Sequence, residues 1–172
     1  MEFERLIAER YSVRSFRPEH LPQEVIDRIL AVGHKAPTGC NYQPQRILVL
    51  NTDEAMEKLR SCTRWHFDAP SAMLVCHNRA ESWKRPYDGA LSSSVDAAIV
   101  ATHMMLAAHN IGVGSCWVMH FNPSAMRQSF GIPDEVEPTA LLVMGYPSED
   151  AHPLALHEQY RPMDEVVYYD HF

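Results

Sequence analysis

The order of apolar and polar positions divides the chain into short elements of both helical and strand period. Glu2 to Arg10 places Phe3, Leu6 and Ile7 on one side of a short helix. Pro22 to His34 carries the stripe Val25, Ile26, Ile29 and Leu30, with Pro22 suited to a first turn. Ile47 to Leu50 reads as a short buried strand, and Asp53 to Ser61 as a small helix behind a Thr52 cap. Ala72 to Cys76 is a second strand. Ser94 to Asn110 is the strongest helical segment, and apolar residues run nearly all round it: Val95, Ala98, Ile99, Ala101, Met104, Leu106. A helix apolar on most faces is central to a fold or lies in a subunit interface. Gly112 and Gly114 end it, Val113 to Phe121 runs on as a strand, and Pro123 to Phe130 is another short helix. Thr139 to Met144 is a last strand, stopped by Gly145 and Pro147.

Irregular stretches separate these elements. Tyr11 to Arg17 is polar, Ala36 to Pro44 is a Pro/Gly/Asn loop, and Asn78 to Leu91 has no period and reads as a loop or lid. Ser148 to Phe172 is a tail with Pro153 and Pro162. Helices and strands mix without strict βαβ alternation, which predicts an α+β fold: a small sheet with helices packed around it. No repeat and no Gly/Ser linker divides the chain, so 1–172 is expected to be a single domain.

Composition narrows the function classes. With 172 residues, 46% hydrophobic and 22% charged, the chain is an ordinary globule that buries roughly 70% of its unfolded surface. The net charge of −7 argues against nucleic acid as a partner, which needs a basic surface, but leaves room for a local anion pocket. No apolar run approaches ~18 residues, so no membrane span is expected. The opening Met1-Glu2-Phe3-Glu4-Arg5 lacks a basic leader and apolar core, so no signal peptide is expected. Cys40, Cys62, Cys76 and Cys116 form no C-x-x-C pair, and free thiols suit a cytoplasmic location. The ten histidines lack the i, i+4 spacing of a metal site, so no metal is expected.

Four segments can carry chemistry, and each has a plain alternative. Arg10-Tyr11-Ser12-Val13-Arg14 sets two arginines four apart with a serine between them. They can converge on a phosphate or carboxylate, or decorate a solvated helix end. Pro37-Thr38-Gly39-Cys40-Asn41-Tyr42-Gln43-Pro44 offers amides that donate and accept at a heterocycle edge, or is a simple connection. Gly112-Val113-Gly114-Ser115-Cys116-Trp117-Val118-Met119-His120 follows a helix instead of opening one, so it is not a dinucleotide fingerprint. Its backbone can serve a ligand, or it is a core strand. Gln159-Tyr160-Arg161-Pro162-Met163-Asp164-Glu165-Val166-Val167 places one arginine in an extended tail. No P-loop, Gly-x-Ser-x-Gly or defensible Ser-His-Asp order is present. His66 and His120 are possible proton donors.

Taken in this order, the four segments resemble the nitroreductase family of FMN-dependent oxidoreductases, in its small-subunit branch. The matching motifs are R-x-S-x-R, P-S-x-x-N-x-Q-P with Thr38 for Ser, G-x-G-[ST]-x-W, and R-x-P-[LM]-[DE]-[DE]-V-V. The resemblance implies a central, mostly antiparallel sheet flanked by helices, in an intertwined homodimer whose arm 148–172 wraps the partner. It implies FMN at the interface. Arg10, Ser12 and Arg161 would hold the phosphate and ribityl end, and Arg14 the N1/O2 side of the ring. Pro37, Thr38 and Asn41 would come from the other subunit, and the backbone of Trp117, Val118, Met119 and His120 would lie near N5. It further implies hydride transfer from NADH or NADPH through the flavin to a small-molecule electron acceptor, such as a nitroaromatic or quinone, by a ping-pong mechanism. No side chain is assigned as an acid or base. Dehalogenation, dehydrogenation, flavin fragmentation and non-enzymatic flavin binding share the scaffold, and no motif selects among them. Gln159 and His120 depart from the usual family residues. Aromatic clustering at Trp65, His66 and Phe67 is read as part of a lid.

Overall fold

A computed structural model describes residues 2–172. In chain order the elements are α1 (Phe3–Glu9), α2 (Gln23–His34), β1 (Gln45–Leu50), α3 (Asp53–Cys62), β2 (Ser71–Asn78), α4 (Ser93–Asn110), β3 (Gly114–Val118), α5 (Pro123–Phe130) and β4 (Val136–Gly145). The strands form one sheet in the order β1-β2-β4-β3, antiparallel at every pairing. The α+β expectation holds.

Both faces of the sheet are covered, so its central strands read as continuous apolar runs instead of alternating ones. Met73 and Val75 of β2, with Ala140, Leu142 and Met144 of β4, face α2 and α4. Ala72, Leu74, Leu141 and Val143 point the other way, against Met56 and Leu59 of α3 and Met126 of α5. Local chemistry places the smaller helices. Thr52 caps α3 by accepting from the Ala55 amide, and Asn122 caps α5 from the Ser124 and Ala125 amides. Gly131, at φ 63°, closes α5 in the left-handed conformation.

α4 lays Ala97, Val100, Ala101, Met104 and Ala108 on the sheet with no exposure. Its opposite side is also apolar and is uncovered in the single chain: Val95 is 60% exposed. Two shallow cavities run along this side. One of about 670 Å³ lies between α1, α2 and α4, lined by Phe3, Ile7, Val32 and Leu106. The other, of about 530 Å³, is lined by Val95, Ala98, Ile99 and His103.

Two sequence expectations shift. β4 begins at Val136, upstream of the expected Thr139, and so contains Pro138. A register shift between Val75 and Cys76 lets Pro138 pair opposite Cys76 and leaves Thr139 as the extra residue. A bulge tolerates the missing N–H. β3 stops at Val118, short of Phe121, because the backbone turns: the Phe121 amide donates to the Met119 carbonyl at 3.1 Å. The stretch 78–91 is a loop, as expected: a 3₁₀ turn at Arg79–Glu81, then a largely exposed tight loop closed by a bridge between Lys84 and Leu91.

Segment 12–17 lies across one end of the sheet. Val13 is buried, its amide donates to the Ser115 carbonyl at 2.9 Å, and Ser12 bridges Ser115. A Cβ on Gly114 would sit 2.7 Å from Val13 Cγ2 and 2.9 Å from Val13 Cβ. Val13 is β-branched and anchored by its backbone, so it has little freedom to yield. Gly114→Ala is therefore expected to destabilise the protein by about 1–3 kcal/mol, the range for overpacking a filled site, with urea denaturation as the check.

The bulge residue Thr139 faces His77, whose Nδ1 lies 2.7 Å from Thr139 Oγ1, and the imidazole is buried. Burial lowers the His77 pKa; the carboxylate of Glu137 opposes this in part, and Arg79 adds to the lowering. The folded state thus binds the proton less readily than the unfolded chain. His77 contributes stability above about pH 6.5 that is lost as pH falls towards its folded value. His77→Gln keeps a polar partner for Thr139 and is expected to flatten the fall in unfolding free energy between about pH 6.5 and 5, as measured by denaturation across that range.

Candidate functional site

The arginine segment is extended, so its side chains alternate: Val13 points into the core, and Ser12 and Arg14 point out. Arg14 Nη1 donates to the Ser12 carbonyl at 3.0 Å, and its guanidinium lies over the Phe67 ring, 5.9 Å from the centroid. Among the described residues, neither Arg10 nor Arg14 pairs with a carboxylate. A cleft of about 260 Å³ opens here, lined by Arg10, Tyr11, Ser12 and Arg14 on one side and Leu154, His157, Gln159 and Tyr160 on the other. The Tyr11 hydroxyl donates to the Ala151 carbonyl at 3.3 Å and its ring meets His157 edge-on at 6.4 Å, which brings the tail back to this spot.

Two titratable groups lie close by. Burial raises the Cys116 thiol pKa, an effect the nearby Arg14 cation opposes, so the group stays a thiol. His109, at the end of α4, is held neutral chiefly by burial, then by Arg10, with Glu9 opposing. Its Nε2 is buried without a hydrogen-bond partner, which is tolerable only for the uncharged ring.

The segment from Trp117 to His120 begins in β3, which is an edge of the sheet. Beyond the Ser115 bridge that edge has no neighbouring strand among the described residues, and an open edge presents free backbone N–H and C=O groups. Val118 is buried, Trp117 half-buried, and Met119 and His120 are exposed. Thr63 fixes the local geometry. Its buried hydroxyl donates to the His120 carbonyl at 2.6 Å and accepts from the Trp65 amide at 3.0 Å. The Trp65 ring consequently stands edge-on to His120 at 6.4 Å and tilts against Phe67 at 5.9 Å. Through Phe67 this aromatic wall joins Arg14, so the arginine segment and the 117–120 segment share one surface.

The third segment is elsewhere. Pro37, Thr38 and Asn41 sit beside the first turn of α4, where the Gly39 amide donates to Asp96 Oδ1 at 2.9 Å. Arg10 lies by the last turn, near His109. The 18 residues of α4 span about 27 Å at 1.5 Å per residue. Within one chain the structure does not bring these groups together. Nor does Arg161 line the arginine cleft: it is exposed and faces Glu165 at 3.7 Å.

The sequence did not single out Asp96, Thr63 or Tyr11. Asp96 had a visible signal, since it is the only carboxylate in the apolar run of α4. Thr63 and Tyr11 act through backbone atoms of residues distant in sequence, which no local pattern shows.

Comparison with known proteins places this geometry. The model of the Nitroreductase family matches residues 7–82 and 61–146. A nitroreductase family protein of Clostridium difficile 630 superposes with a TM-score of 0.93 at 39% identity, covering 100% of both chains. An archaeal relative from Methanothermobacter thermautotrophicus, a candidate NADH dehydrogenase/NAD(P)H nitroreductase, is 28% identical over 84% of this chain and 76% of its own. A protein of Clostridium difficile R20291 described as an FMN-dependent nitroreductase shares the fold, with a TM-score of 0.75 at 21% identity over 97% of this chain and 98% of that one. With its sheet, its arginine segment and its loop on opposite ends of one helix, the chain belongs to the nitroreductase family.

Proposed function

We propose that the protein is an FMN-dependent oxidoreductase that moves a hydride from NADH or NADPH to a small electron acceptor, and that it works as a homodimer. One observation carries the reading: two polar half-sites lie at opposite ends of α4, and the helix face between them is apolar and bare. Antiparallel pairing of that face with a second copy covers both apolar cavities. It also brings the first turn of one α4 towards the last turn of the other. Each pair of half-sites then becomes a whole site, twice per dimer, as two-fold symmetry requires.

The residues fit the cofactor. Two guanidiniums without carboxylate partners and a serine hydroxyl are a donor set for a phosphate and the polar edge of a ring. The cleft of about 260 Å³ is smaller than the roughly 300–1,000 Å³ of pockets that enclose such ligands, as expected of half a site. The archaeal relative's name refers to NAD(P)H and that of the second clostridial protein to FMN, which supports the reading.

In this assignment Arg10 and Ser12 bind the phosphate and ribityl end. Arg14, steered by the Ser12 carbonyl and Phe67, would hold the N1/O2 side of the ring with a fixed positive charge. Pro37, Thr38 and Asn41 of the second chain close the site, and the backbone from Trp117 to His120 lies at the reacting edge. Arg161 would reach a phosphate only by movement of the arm of residues 148–172, whose exposed Met163 and Tyr169, beyond the part that lines this chain's own cleft, suit it to cover a partner. Trp65 and Phe67 form the wall that keeps water from the ring. The chemistry FMN supplies when bound is hydride acceptance from NAD(P)H and hydride donation to an acceptor that uses the same face afterwards.

Fresh protein is expected to absorb near ~450 nm with about one FMN per chain and to oxidise NADH or NADPH when a quinone or nitroaromatic is added. A colourless protein that takes up no FMN would defeat the reading. Arg14→Ala is expected to weaken FMN binding by about 1.5–3 kcal/mol, the range for a hydrogen bond to a charged group, read by flavin fluorescence titration. Ala98→Arg, on the bare face of α4, is expected to give monomers by analytical ultracentrifugation and to release FMN with them. A monomer that keeps its flavin would rule out the shared site.

A further inference from the structure

We propose that Asp96 is a positioning residue: its buried carboxylate holds the loop 37–43 in the one shape that presents Thr38 and Asn41 to the cofactor of the neighbouring subunit. The inference rests on the FMN-binding dimer argued above. Asp96 is 3% exposed, although it sits in the apolar stripe of α4. Its Oδ1 accepts from the Gly39 amide at 2.9 Å and its Oδ2 from the Ser92 hydroxyl at 2.6 Å. Both oxygens are therefore occupied, as a buried carboxylate requires. Its place in the first turn sets the negative charge against the positive end of the helix dipole.

The loop it holds is not one the backbone adopts freely. Cys40, Asn41 and Gln43 have φ of 47°, 58° and 52°, all in the left-handed region and none of them glycine. The bonds inside the loop are local: the Gln43 amide donates to Thr38 Oγ1 at 3.0 Å, the Asn41 amide to the Thr38 carbonyl at 3.0 Å, and the Tyr42 amide to the Gly39 carbonyl at 3.0 Å. They curl the loop but do not fix where it stands. The Gly39–Asp96 bond ties the curl to the rigid helix. Gly39 is also seated tightly, since a Cβ there would lie 3.1 Å from both Ser92 Oγ and Trp83 Cβ. A strained loop tied to a rigid helix by a buried carboxylate and seated against Trp83 is arranged to be ready before its ligand arrives.

The test uses the chain of 172 residues as its dimer: FMN affinity by fluorescence titration, and amide exchange at Gly39 and Asn41 by NMR without FMN. Wild type is expected to bind FMN and to protect the Gly39 amide. Asp96→Ala is expected to raise the FMN Kd at least about tenfold, as loss of a charge-assisted hydrogen bond predicts, and to speed exchange at both amides. Asp96→Asn, which keeps an oxygen for the Gly39 amide, is expected to restore affinity to within about threefold. A merely structural role would lower the thermal midpoint of Asp96→Ala and leave its FMN Kd and Asn41 exchange unchanged, and that result would overturn the proposal. If Asp96→Ala does not fold, wild type decides: a Gly39 amide exchanging like an open loop amide means there is no preformed clamp, and the proposal falls. An FMN-binding wild type with an unaffected variant defeats the inference alone; a wild type that binds no FMN defeats the oxidoreductase reading and this inference with it.

Discussion

The packing of α4 on the sheet is the constraint on which the rest depends. Ala97, Ala101 and Ala108 are small enough to let the helix lie close to β2 and β4, while Val100 and Met104 fill the space between. α2 is drawn in equally tightly, for a Cβ on Gly33 would come within 2.6 Å of Met104 Cγ. Such a helix cannot shift without opening the core. It acts as a rigid spacer, with the Asp96 clamp in its first turn and His109 beside Arg10 in its last. The positions of the Pro37–Asn41 loop and of Arg10 follow from where the two ends of this rod stand.

Around that rigid element the site is made of strained backbone held by buried polar groups. Cys40, Asn41 and Gln43 in one loop, and Phe67 and Asp68 in another, carry positive φ without being glycine. Left-handed residues cost of order 1–2 kcal/mol each and persist where the surroundings over-determine them. Asp96 supplies that constraint for the first loop. Thr63 is the corresponding anchor for the second, binding the Trp65 amide and the His120 carbonyl with one hydroxyl. The conformational work at both places is done by buried side chains, which leaves the exposed groups of the candidate site free.

This division explains what the sequence could and could not tell. Elements whose cause is local were legible: the stripe of α2, the Thr52 cap and the apolar run of α4 each state their structure within a few residues. The start of β4 was hidden because Pro138 reads as a breaker, and only the bulge opposite Val75 and Cys76 makes it acceptable. The end of β3 was overshot because apolar Val118 and Met119 continue a strand pattern that a backbone turn interrupts. The arginine segment and the 117–120 segment announced themselves as motifs, and the structure joins them through Phe67. That the Pro37–Asn41 loop stands at the other end of α4 from Arg10, about 27 Å along the helix, is a property of the fold, and no spacing in the sequence encodes it.

The electrostatics point the same way as the geometry. A chain with net charge −7 repels an anionic cofactor at long range, so its field does not gather FMN or NAD(P)H from solution. With charges screened over about 8 Å at physiological salt, binding has to come from short-range contacts, and in one chain these are Arg10, Arg14 and Ser12 in an open cleft. On the proposed reading the missing contacts belong to a second copy. Any ligand that touches both chains favours the state in which both are present. Cofactor binding then stabilises the dimer, and dimer formation raises cofactor affinity by the same free energy. The bare face of α4 and the unneutralised arginines are on this account two parts of one coupled equilibrium.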